Sequence, residues 1–150
     1  MQQNFTPVNS IGRKALLKKL SDFKGYALET VPIGEPDDAS VFEEADGSLS
    51  LLTTDTFVEG VDYDPSYTPF THLGFKVISA AVSDIYAMNG YPKKVVVSLA
   101  LPNRMSVEMI TDLYQGLDEA CNRYTVALAG GDLTGNHQNA VITVSVFGKA

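Results

Sequence analysis

The chain has 150 residues, 45% hydrophobic and 19% charged, which suits a single domain that buries a core without disulfides or structural metals. A formal net charge of −7 excludes a basic nucleic-acid face, since the densest basic stretch, Arg13, Lys14, Lys18 and Lys19, fits one solvated helix face. One cysteine excludes an internal disulfide or a thiolate metal set, and no apolar run reaches the roughly 20 residues that span a bilayer. Met1 to Asn9 is polar and lacks the apolar segment of a signal peptide, so a reducing cytoplasm is the expected setting.

Ile11, Leu16, Leu17, Leu20 and Phe23 stand near helical spacing and predict a short amphipathic helix over Ser10 to Phe23, within an N-terminal segment of about 30 residues. Leu28 to Ile33 reads as extended. A turn at Gly34-Glu35-Pro36 precedes a strand over Asp38 to Glu43, and Asp46-Gly47 is a hairpin signal leading to a partner strand over Leu49 to Thr54. Val58 to Tyr63 reads as a further short strand. After Pro65 and Pro69 a helix is predicted over Thr71 to Asn89, with Leu73, Val77, Ile78, Ala81, Val82, Ile85 and Met88 on its buried face and Gly90 and Pro92 ending it.

Lys94 to Leu101 alternates as a strand with small or apolar residues on both faces. Ser106 is the expected cap of a second long helix, along which Val107, Ile110, Leu113, Tyr114, Leu117, Ala120, Cys121 and Tyr124 share a face. Cys121 therefore reads as a buried structural thiol. Val126 to Ala129 is a short strand, Gly130 to Asn139 a loop, and Ala140 to Phe147 a last alternating strand. The order predicts an α+β fold, a mixed β-sheet with helices on one face. The small and β-branched residues of the other face need a second cover, which a symmetric dimer would supply. The chain ends directly after a strand, as expected if a further domain follows.

The informative feature is the placement of acids. Asp37 and Asp38 open a strand, Asp55 closes the next, Asp84 interrupts an apolar helix, and Asp132 follows two glycines at a strand end. Carboxylates converging on one sheet rim repel unless cations lie among them, and oxygen-rich sites suit Mg²⁺. The hydroxyls of Thr53 and Thr54 could add ligands. Each acid also has a plainer reading: Asp37-Asp38 as a turn or helix cap, Asp132 as a turn, Asp84 as a hydrogen-bonded structural acid. His72 and His137 stand alone and read as surface residues. There is no phosphate-binding Walker loop, no GxGxxG, no Ser-His-Asp arrangement and no zinc spacing. The residues by themselves give a multi-acid metal site and leave the substrate open.

The segments GEPDDAS, LLTTDTFVEGVDYD, HLGFKVISAAVSDIYAMNGYPKKVVVSLALP, LYQGL and LAGGDLTG, in that order, resemble the thiamine-monophosphate kinase family of the aminoimidazole ribonucleotide synthetase superfamily. The resemblance covers Ile33 to Gly148 and implies the ATP- and magnesium-binding N-terminal domain, residues 1–150, of a two-domain homodimeric cytoplasmic enzyme whose C-terminal domain is absent from this chain. It implies that Asp37, Asp38, Thr53, Thr54, Asp55, Asp84 and Asp132 hold several Mg²⁺ ions around the ATP phosphates. It also implies that Gly131, Asp132 and Tyr114 contact the nucleotide. Two positions depart from the family pattern. Glu35-Pro36 precedes the acid pair where the family has Gly, and Asp62 stands where the family has a histidine that contacts thiamine monophosphate. Asp62 is accordingly the expected substrate-binding position. The same superfamily also includes aminoimidazole ribonucleotide synthetase and hydrogenase-maturation enzymes, and a non-catalytic nucleotide- or metal-binding module is the reading from a different class.

Overall fold

The computed structural model describes residues 6–23 and 37–150. Internal contacts divide the chain into a first unit, Met1–Val31, and a second, Pro32–Ala150. In the first, a 3-10 turn at Val8–Ser10 leads into helix α1, Gly12–Leu20. The helix starts later than the sequence predicts because the Ser10 hydroxyl donates back to the Pro7 carbonyl at 2.7 Å instead of capping the helix. The extended stretch expected over Leu28 to Ile33 lies outside the described residues.

The second unit is built on a five-stranded mixed sheet of order β1-β2-β5-β3-β4. β1 (Ser40–Glu43) and β2 (Leu49–Val58) form the expected hairpin, with Gly47 at φ +80° and the Asp46 carboxylate accepting from Ser48 N at 2.9 Å. β2 runs past Thr54 because β5 (Val141–Lys149) pairs antiparallel along it from Ser50 to Val58. Asp55 thus lies inside the strand, not at its end. The strand expected over Val58 to Tyr63 is a tight turn closed by a single Glu59–Tyr63 bridge.

Helix α2 (Phe70–Ala87) buries Leu73, Val77, Ile78, Ala81, Val82 and Ile85, the predicted stripe. Asn89, at φ 56°, and Gly90 end it and lead into β3 (Tyr91–Pro102). Ser106 caps α3 (Val107–Tyr124), accepting from Met109 N at 3.2 Å, and Cys121 is buried within that helix as expected. Its thiol pKa is raised by burial first and by Asp118 second.

β4 spans Ala127–Asn136 where the sequence predicts a loop from Gly130. Parallel pairing with β3, with a register shift at Val95/Val96, carries the glycine-rich segment along as strand. That pairing overrides a composition with little β-propensity of its own.

Both α2 and α3 pack on the same face of the sheet, over Leu51, Val95, Val97, Leu99, Ile142, Val144 and Val146. The two helices meet at glycines: a Cβ on Gly74 would lie 2.1 Å from the Leu113 carbonyl oxygen, and one on Gly116 1.8 Å from that of Thr71. Among the described residues of the second unit no element packs on the opposite face, which carries Thr54, Thr56, Val96, Thr143 and Ser145.

Candidate active site

β1 pairs with β2 only from Leu49 to Leu52, so among the described residues β2 has no strand partner on that side from Thr53 onward. Strand alternation turns Thr53 and Asp55 toward α2 and sends Thr54 and Thr56 to the opposite face. From α2, Asp84 reaches Thr53, whose Oγ1 donates to Asp84 Oδ2 at 2.8 Å, and Thr53 is only 7% exposed. Asp55 lies close enough to feel Asp84. Its pKa is raised, by burial first and by the Asp84 charge second. Thr54 instead accepts from the Ser145 hydroxyl at 2.9 Å, and Thr56 shares a hydrogen bond with Thr143 at 3.2 Å.

Asp37 and Asp38 are exposed, with Asp38 N donating to Asp37 Oδ1 at 2.9 Å. Together with Thr53 and Thr54 they line an open hollow of about 410 Å³ beside this strand. Among the described residues no three His, Cys, Asp or Glu side chains stand close enough to form a ready-made metal cage. The donors present are nevertheless all hard oxygens, and Asp55 and Asp84 carry mutual repulsion that a cation would relieve. That chemistry fits Mg²⁺, which binds through one or two carboxylates and keeps other positions for water and phosphate.

Asp132, Gly131 and Tyr114 line a second hollow of about 570 Å³ with Leu128, Ala129, Gly130 and Leu133. Asp132 pairs with Ser98, which pairs with Thr143, which pairs with Thr56. Three strand spacings thus separate β4 from β2, about 14 Å across the sheet. The structure therefore brings Asp55, Asp84 and Thr53 together, gathers Asp37, Asp38, Thr53 and Thr54 around a hollow that Asp55 and Asp84 do not line, and leaves Asp132 with the second group. Gly131 is required there because a Cβ would fall 1.7 Å from the Val97 carbonyl oxygen of β3.

Asp62 lines neither hollow. Its Oδ2 accepts from Val58 N at 2.7 Å and closes the turn that follows β2. Two residues around that turn carry roles the sequence reading did not assign, Glu59 and Arg104, which form a close ion pair at 2.7 Å. Glu59 stands in the quoted VEG segment, so a signal for it existed; Arg104 had none.

Comparison with known proteins fits this geometry. The family described as AIR synthase related protein, N-terminal domain, matches residues 36–150. The chain belongs to this family. A thiamine-monophosphate kinase of Aquifex aeolicus is 38% identical over 128 residues, 85% of this chain and 40% of that protein. One from Bacillus subtilis is 34% identical over 120 residues, 80% of this chain and 37% of that protein. The solved structure of AaThiL complexed with AMPPCP and TMP is 28% identical, covers 99% of this chain and 45% of that one, and superposes with a TM-score of 0.84. The chain thus spans about two fifths of the length of these curated relatives. The mixed sheet with its helices on one face is the fold of this family's N-terminal domain, as the sequence predicts.

Proposed function

We propose that the chain is the nucleotide- and magnesium-binding part of a kinase that transfers the γ-phosphoryl group of ATP to thiamine monophosphate, giving ADP and thiamine diphosphate. The observation that carries this reading is the meeting of Asp55, Asp84 and Thr53 where α2 covers β2, with one carboxyl already held in an unfavourable field. The acceptor is itself a phosphate oxyanion and needs no general base. The obstacle is the approach of two polyanions, so charge neutralisation and in-line positioning are the tasks. Asp55, Asp84 and Thr53 would hold Mg²⁺, with Asp37, Asp38 and Thr54 lining the adjoining hollow and Asp132 contributing from β4. Bound there, the ions would neutralise phosphate charge and act as a template.

Gly131, Asp132 and Tyr114, which line the second hollow, would contact the nucleotide, and Asp62 would stand on the acceptor side. The likeness to a protein complexed with AMPPCP and TMP supports both ligand assignments. A second copy of the chain would cover the opposite sheet face. Among the described residues no helix is long and apolar enough to cross a membrane. Calorimetric titration of a non-hydrolysable ATP analogue, in Mg²⁺ and then in EDTA, tests the reading. Binding that requires Mg²⁺ supports it; binding indifferent to the metal removes the acids from the site.

A further inference from the structure

The turn that follows β2 is gripped from two sides by cations that neither hollow uses. From the β3–α3 connection, Arg104 Nη2 donates to both carboxylate oxygens of Glu59 at 2.7 Å and to the Gln138 carbonyl at 2.8 Å. Glu59 Oε2 also accepts from Ala140 N at 2.8 Å. Around this centre Glu59 N donates to the Ala140 carbonyl at 2.9 Å, and Asn139 Nδ2 to the Glu59 carbonyl at 3.2 Å. The Glu59 side chain is 12% exposed and that of Arg104 51%, so the carboxylate end of the pair is sheltered while the guanidinium reaches it from solvent. Three connections, β2–α2, β3–α3 and β4–β5, are thereby tied through one carboxylate.

The second grip comes from α2, where Lys76 Nζ donates to the Asp62 carbonyl at 2.7 Å. Lys76 and Asp84 belong to the same helix, eight residues apart, a rise of about 12 Å. One rigid element therefore touches the turn at one point and the Asp55 side of the site at another.

We propose that Arg104 and Lys76 are positioning residues that hold the Glu59–Tyr63 turn at a set distance from the Asp55–Asp84 pair and so tune acceptor binding. This rests on the reading of that turn as the acceptor side of the site. Neither residue need touch the acceptor: Arg104 acts through Glu59, and Lys76 through the Asp62 backbone.

The test is calorimetry on the chain with thiamine monophosphate and, separately, with the magnesium-bound ATP analogue, for wild type, Arg104→Met and Arg104→Lys. Arg104→Met is expected to weaken thiamine monophosphate about tenfold, the scale on which loss of an outer hydrogen-bond partner weakens the site it orients. It should leave the nucleotide within about twofold. Arg104→Lys should recover part of the loss, since it keeps the positive charge on a side chain that falls short of the Nη2 position from which all three bonds are made. Equal weakening of both ligands would mark a merely structural pair, and no weakening would also overturn the proposal. If Arg104→Met does not fold, Lys76→Met, which leaves the ion pair intact, is read by the same criteria. A wild-type chain that binds no thiamine monophosphate removes the acceptor reading and this proposal together; a binding wild type with an unaffected variant removes the proposal alone.

Discussion

Substitution of Asp84 separates two roles that the geometry joins. The buried Thr53 hydroxyl gives its hydrogen to Asp84, and the Asp84 charge raises the pKa of Asp55 after burial has done so. Asp84→Ala leaves the hydroxyl without its partner, at a cost of about 1–3 kcal/mol. Asp84→Asn keeps an acceptor oxygen in place and removes only the charge. Relief of repulsion between two partly solvated carboxylates is worth a few tenths to about 1 kcal/mol. Without divalent ions the asparagine variant is therefore as stable as wild type or slightly more so, while the alanine variant is less stable. Since about 1 kcal/mol moves Tm by roughly 2–4 °C at this chain length, the two should differ by several degrees in EDTA. Magnesium at a hundred times its Kd stabilises a binding-competent chain by about 2.7 kcal/mol, and both variants should lose that gain. Thermal unfolding followed by circular dichroism, in EDTA and in Mg²⁺, reads all of these differences. An asparagine variant as unstable as the alanine one, or a magnesium gain that survives in either, would refute the reasoning.

The remaining predictions concern the same strand and the helices that hold it. Because the folded chain raises the Asp55 pKa above its ordinary value of 3.8, it binds more protons than the unfolded chain just above that pH. The Asp55 contribution to stability without metal should accordingly fall as pH rises through the window from 3.8 to the raised value, against the opposite contributions of the lowered Glu59 and Glu108. Asp55→Asn should make stability climb more steeply with pH in that window in pH-dependent melts. Gly116→Ala forces α2 away from α3, since its new Cβ would lie 1.8 Å from the Thr71 carbonyl oxygen. Overpacking of about 1–3 kcal/mol should outweigh the gain in helix propensity, lowering Tm and weakening Mg²⁺ binding as α2 shifts Asp84. Ser106→Ala removes the α3 cap, at about 1 kcal/mol, and should lower the denaturation midpoint without altering ligand affinity.

The long helices and the central strands were legible because their patterns are strong. The stripe from Leu73 to Ile85 needs only helical spacing, and Ser106 followed by an apolar face needs only capping chemistry. β4 was not legible beyond Ala129. Gly130, Gly131 and Gly135 have no intrinsic strand preference, and their conformation follows from pairing with Val96, Val97 and Leu101, which no local pattern encodes. The turn after β2 was misread for a related reason. Val58, Val61 and Tyr63 look like strand residues, but Asp62 folds back onto Val58 N and closes the backbone instead.

For the site, residue type was legible and partnership was not. Thr53 and Thr54 are adjacent in sequence, yet the pleat puts them on opposite faces, so only Thr53 can meet Asp84. Asp55 and Asp84 come together because the pleat turns Asp55, like Thr53, to the face that α2 covers, and α2 carries Asp84 to that point of β2. The path of that helix over the sheet depends on packing that no local pattern encodes. The same logic carries Asp132 to the far strand of the sheet, about 14 Å away, although in sequence it looks equivalent to Asp55. A ligand that used both would have to bridge β2 and β4 across the sheet. The two hollows are therefore expected to receive different parts of one extended anionic ligand, with the Asp55–Asp84 end governing its dependence on metal.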